Sequence, residues 1–178
     1  PWTSRQAMSL DSLCKLASWC PRLAVLSLAL PLWSDDLIEA MSRFAFLRRL
    51  NISGSSGWPP PAAGAVVPRV TDEGMQYLTR LKALQSLSLT VCRDLTDASM
   101  AAVAQLAMLQ ELQIYNSPLS SQALSMLSSL HRLASLTFDT VAVTDEALEP
   151  IVRSNTRICR ITVSKAQLTA PYFLTCLK

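Results

Sequence analysis

Six segments of this chain carry the same short apolar pattern, and their spacing restricts the available folds more than any other feature. The pattern is an apolar residue, two intervening residues, a second apolar residue, one residue and a third. It occurs as Leu23-x-x-Leu26-x-Leu28, Leu47-x-x-Leu50-x-Ile52 and Leu84-x-x-Leu87-x-Leu89. It recurs as Leu109-x-x-Leu112-x-Ile114, Leu133-x-x-Leu136-x-Phe138 and Ile158-x-x-Ile161-x-Val163. Counted at the second apolar residue, successive copies lie 24, 37, 25, 24 and 25 residues apart. Self-similarity at such a period is the mark of a stacked array of supersecondary units. Within each copy the last three positions alternate apolar, polar, apolar, which reads as a strand with one buried face.

A second landmark keeps step with the first. After each strand comes an apolar residue, then Thr or Ser, then a further apolar residue five places after the first. The copies are Val70-Thr71 with Met75, Leu95-Thr96 with Met100, Leu119-Ser120 with Leu124, Val143-Thr144 with Leu148 and Leu168-Thr169 with Phe173. In the first unit Leu32 and Leu37 keep the spacing, with Ser34 one place late. A hydroxyl at this position is a natural helix N-cap, because its oxygen accepts from the free N–H groups of the first turn. Asp72, Asp97 and Asp145 follow at once, where a negative charge complements the helix dipole. Apolar residues then recur at threes (Met75, Leu78, Leu81; Met100, Val103, Leu106; Leu124, Leu127, Leu130), giving one buried helical face.

These residues resemble the leucine-rich repeat family, and the resemblance runs from about Leu13 to Phe173. It implies an α/β solenoid of about six repeats, with a curved parallel sheet on the concave side and helices on the convex side. The Leu-Thr-Asp helix start, with Cys92 three residues after Leu89, is similar to the cysteine-containing subtype often joined to F-box proteins. One unit of roughly 25 residues cannot bury its own apolar face, so neighbours must stack. The whole chain, 1–178, is expected to form a single such domain.

The 37-residue step carries about a dozen extra residues, in a stretch rich in Pro, Gly and Ser that includes Gly54, Gly57, Trp58, Pro59, Pro60, Pro61 and Gly64. Consecutive prolines donate nothing to a sheet and favour an extended polyproline path. Residues of about 54–67 are therefore expected to form a loop leaving the rim just after the second strand. It reads either as a tolerated surface insertion or as a docking loop with Trp58 as aromatic anchor. Neither end of the chain reads as a polar cap. Met8, Leu10, Leu13, Leu16 and Trp19 suggest an apolar helix of an incomplete first repeat, and Phe173, Leu174 and Leu177 begin another. This points to a piece of a longer array, or to partners seated at its ends.

Half of the residues are hydrophobic and 16 % charged, which excludes a disordered chain. The formal net charge of +3 is mildly basic, and along the sequence Lys and Arg look scattered, with Arg48-Arg49 the one adjacent pair. Nucleic acid is a poor fit to that pattern. Cys14, Cys20, Cys92, Cys159 and Cys176 have no C-x-x-C spacing and read as reduced, mostly buried thiols of an intracellular protein. No apolar run is long enough to cross a membrane. His131 is the single histidine and falls in a short turn, where it reads as a surface residue rather than a general base, and with no second histidine a His-based metal site cannot be assembled. Asp35-Asp36 lie at a helix start, and no phosphate-cradling Gly loop is present. No catalytic residue, metal or cofactor is expected.

What remains is surface. The residues between the last two apolar positions of each strand should face outward: Ser27, Asn51, Ser88, Gln113, Thr137 and Thr162. Flanking them on the same face are Arg49, Glu111, Tyr115, Asp139 and Arg160, residue types that supply specific contacts in protein interfaces. The partner-binding set expected is thus Arg49, Asn51, Trp58, Ser88, Glu111, Gln113, Tyr115, Thr137, Asp139 and Arg160. Two functions fit: a non-catalytic protein–protein interaction scaffold or structural subunit, and the substrate-recognition domain of an F-box ubiquitin ligase. Partners would be other proteins, met through the concave sheet, the rim loop or the ends.

Overall fold

The computed structural model describes residues 9–30, 34–54, 70–90, 95–115, 119–139 and 144–164. Within them helix and strand alternate. Helix α1 (Leu10–Trp19) precedes β1 (Val25–Leu30), and α2 (Asp35–Met41) precedes β2 (Arg49–Gly54). Then follow α3 (Asp72–Tyr77), β3 (Ser86–Thr90), α4 (Asp97–Val103) and β4 (Glu111–Tyr115). The last pairs are α5 (Ser121–Ser125) with β5 (Ser135–Asp139) and α6 (Asp145–Ser154) with β6 (Arg160–Ser164). All six strands are parallel and join in one sheet in chain order, as the repeated pattern predicts. Leu26, Leu50, Leu87, Leu112, Leu136 and Ile161 stand side by side across it, and so do Leu28, Ile52, Leu89, Ile114, Phe138 and Val163.

The register is anchored just upstream of each strand. The carbonyls of Ala24, Arg48, Gln85, Gln110 and Ala134 each accept two N–H donors from the next unit. The step from β2 to β3 is no different: Gln85 and Ser86 both donate to Arg48, at 2.8 and 2.9 Å, despite the longer intervening chain. A longer connection adds little closure entropy once its ends are held, because that cost grows only logarithmically with length.

The core is the space between sheet and helices. Leu87, Leu112 and Leu136 are completely buried, together with Met75, Leu78 and Leu81 of the third unit and Met100 and Val103 of the fourth. In two of the helices the three-residue spacing of the apolar residues has a structural cause. Helices α3 and α5 tighten into 3-10 turns at Leu78–Arg80 and Met126–Ser129, and at three residues per turn every third side chain falls on one face.

The helix starts are tied to one another. Asp35, the first residue of α2, accepts from the backbone N–H of Thr71 at 2.8 Å and from its hydroxyl at 2.7 Å. Asp72 does the same for Thr96 at 2.9 and 2.5 Å, and Asp97 for Ser120. Each hydroxyl in turn accepts from an N–H of its own helix, Glu73, Ala98 and Gln122 respectively. The N-cap and the acid after it, read from sequence as local features, thus form a relay from one unit to the next. Small residues stand two places after the acid's counterpart, Gly74, Ser99 and Ala123, all buried. At Gly74 the carboxylate needs that room: a Cβ there would lie 2.0 Å from an Asp35 oxygen.

One core position breaks the apolar pattern. Asn155 occupies the place held by Phe44, Leu81, Leu106 and Leu130 in other units and is 4 % exposed. Its Nδ2 donates to the Leu130 carbonyl at 2.7 Å, and its Oδ1 accepts from the Arg157 N–H at 3.1 Å. Asn155→Leu restores the majority residue type yet removes both bonds, and it should destabilise the chain by about 1–3 kcal/mol. A urea titration showing Asn155→Leu as stable as the parent would mean these bonds contribute nothing.

Three expectations are corrected. Gly54 is not part of a loop but the last residue of β2, paired with Leu30, because the ladder continues that far; residues 55–67, with Trp58, lie outside the described residues. Of the described cysteines none is buried: Cys20 and Cys159 are exposed and Cys14 half-buried. Cys20 caps the end of α1 and Cys159 sits in the turn before β6, both outside the sheet–helix interior. Thr137, expected to face solvent, is only 9 % exposed, since a short β-branched side chain with a strand on either side offers little surface.

Candidate protein-interaction surface

Alternation along each strand sends one set of side chains into the core and the other to the open face of the sheet, away from the helices. Three columns result. The middle one runs Ser27, Asn51, Ser88, Gln113, Thr137, Thr162 and holds no charge. Asn51 is exposed, Ser88 and Gln113 half-buried. Its groups donate and accept hydrogen bonds in any direction, so it is a permissive platform rather than a charged trough.

The column at the strand starts runs Val25, Arg49, Ser86, Glu111, Ser135, Arg160. Glu111 therefore stands two strands from Arg49 on one side and two from Arg160 on the other, roughly 10 Å each way. All three are exposed and enter no ion pair among the described residues. At the strand ends Tyr115 and Asp139 are direct neighbours on β4 and β5, both half-buried. The fold thus brings nine of the ten expected contact residues onto one face, and Trp58 lies outside the described residues.

The sequence reading missed a segregation of charge. Arg22 precedes β1; Arg43, Arg48 and Arg49 lead into β2; Arg80 and Lys82 lead into β3; Arg132 precedes β5; and Arg153, Arg157 and Arg160 lead into β6. Glu111 is the one acid among the corresponding described residues. Acids gather at the opposite edge, where the helices begin: Asp35, Asp36, Asp72, Glu73, Asp97, Asp145 and Glu146. Basic residues that look scattered along the chain form one rim because the repeat returns the same position to the same edge. Superposing the six units on their second apolar residue would have revealed it.

His131 is exposed in its turn, with Nδ1 at 3.3 Å from the Ser154 carbonyl. Among the described residues no group of three His, Cys, Asp or Glu is placed to hold a metal ion, and no helix is long and apolar enough to cross a membrane. No family model matches this chain, and a search of curated proteins finds no match.

Proposed function

We propose that this chain is a leucine-rich repeat solenoid acting as a non-catalytic protein–protein interaction scaffold or structural subunit, with the open face of the sheet as its concave recognition surface. The observation that carries this reading is the six-strand open face itself. An uncharged hydrogen-bonding column runs along its middle, flanked by the charges Arg49, Glu111 and Arg160 and by the Tyr115–Asp139 pair. A rigid platform of this kind positions polar contacts at the spacing of the strands and loses little entropy on binding. Tyr supplies large contact area at modest ordering cost, and Tyr and Arg are enriched among the residues that dominate interface energy.

Placing a long charged side chain in the middle column tests it. Gln113→Arg with Asn51→Arg should weaken a partner captured from native material at least about tenfold, since a bulky charge there opposes close approach. Gln76→Arg, on an exposed position of α3, should leave capture unchanged. Equal capture by both variants, or loss confined to Gln76→Arg, would place the partner elsewhere.

A further inference from the structure

We propose that the basic rim of the first three units docks a short acidic protein segment that also carries apolar side chains. This goes beyond the open-face reading, and it rests on that reading only in taking the partner to be a protein. Six cations converge there: Arg22, Arg43, Arg48, Arg49, Arg80 and Lys82, all exposed. The backbone bonds from Arg48 and Arg49 to Ala24, and from Gln85 and Ser86 to Arg48, place these units side by side at this edge. Arg80 is braced, its guanidinium 5.1 Å from the Tyr77 ring centroid and its Nη1 3.5 Å from the Ser42 hydroxyl.

Large apolar side chains share the same edge. Phe46 stands in the turn leading to β2 and is 58 % exposed; Trp19, at the end of α1, is 75 % exposed; Val25, beside Arg49 in the sheet, is 56 % exposed. Exposed aromatic groups beside concentrated positive charge match a ligand that is both anionic and apolar.

The helix dipole does not account for this arrangement. A cation complements a helix C-terminus only within about the last turn. That covers Arg80, whereas Arg22, Arg43, Arg48, Arg49 and Lys82 lie in the turns and strand beyond the helix ends. Mutual repulsion among six cations opposes their clustering unless an anion joins them.

A protein segment fits better than a nucleic acid. The rim carries no cation in the fourth unit, where Gln105, Gln110 and Glu111 stand, so there is no continuous rail for a phosphate backbone. The six cations span two strand spacings, roughly 10 Å along the sheet, or about seven residues of a helix. Val25 offers an aliphatic surface that a nucleotide chain does not require.

The probe is a fluorescein-labelled peptide of about 16 residues, Asp and Glu with Phe or Leu at every fourth place, long enough to cover the rim as a helix. Fluorescence anisotropy with the full chain should show saturable binding that weakens at least about tenfold between ~0.05 and ~0.5 M salt. Arg22→Glu with Arg48→Glu should weaken it by about tenfold or more, and Phe46→Ala comparably. Gln113→Arg, on the open face, should leave it within about twofold. A matching peptide with Asn and Gln for the acids should bind at least about tenfold more weakly. Thermal unfolding of each variant checks that it folds; should the double charge reversal not fold, Arg22→Gln with Arg48→Gln replaces it.

No saturation by ~1 mM, or rim variants that bind as the parent does, overturns the rim proposal while leaving the open-face reading standing. An oligouridylate of the same length binding more tightly than the peptide also overturns it, in favour of a nucleic-acid partner. Loss of peptide binding in Gln113→Arg alone would assign the peptide to the open face, which sinks the rim proposal and supports the other.

Discussion

Leu112→Ala should lower the free energy of unfolding by about 2–5 kcal/mol, the range for emptying a well-packed core site. Leu112 is completely buried in β4, with Leu87 on one side and Leu136 on the other. The cavity therefore opens between two inter-strand interfaces at once. In a stacked array stability is close to a sum of unit and nearest-neighbour interface energies, so one central truncation weakens both halves. Against a typical total of about 5–15 kcal/mol, the loss is large. Val25→Ala, at a site 56 % exposed on the edge strand β1, should cost no more than about 1 kcal/mol. Urea unfolding followed by circular dichroism reads both. A Leu112→Ala loss below about 1 kcal/mol would mean that the ladder is not the principal core.

The second large effect is expected at the relay of helix starts. Asp97→Ala removes the acceptor for both the N–H and the hydroxyl of Ser120, leaving a half-buried N-cap to find new partners. Hydrogen bonds to a charged group contribute about 1.5–3 kcal/mol, so a loss of about 2–3 kcal/mol is expected. Asp36→Ala is the control. Asp36 is an exposed acid in the first turn of α2, where a dipole interaction contributes only about 0.3–1 kcal/mol. Combining Asp97→Ala with Ser120→Ala should give a coupling of at least ~0.5 kcal/mol, because the two act through one bond network. If Asp97→Ala costs no more than Asp36→Ala and couples to nothing, the acid serves its own helix alone and the relay is without energetic weight.

The strands were fully legible. Leu26, Leu50, Leu87, Leu112, Leu136 and Ile161 lie in one row of the sheet, and Thr71, Thr96 and Ser120 cap the helices that the hydroxyl spacing predicts. Less visible was Asn155. A polar residue interrupting an apolar series reads as an exposed position, and only the Leu130 carbonyl and the Arg157 N–H show why it is buried. The acids were half legible. Their place at helix starts follows from the dipole, whereas their second partner lies 36, 24 and 23 residues further along the chain. Cys20 and Cys159 misled for a related reason: cysteine is buried on average, and the turn positions they occupy decide otherwise.

The sequence by itself determined the periodic elements, their direction and their register. Those follow from local alternation and a recurrent cap, and a one-residue slip would turn every buried leucine of a strand outward. The tertiary structure alone decided which contacts form across units. It joined Asp97 to Ser120, seated Asn155 against the Leu130 carbonyl and left Phe46 exposed beside Arg48 on the basic rim. Periodicity states which way a side chain points, and charge and hydrogen bonding depend on which neighbour stands a few ångströms away. In a stacked array that neighbour is one whole repeat distant along the chain.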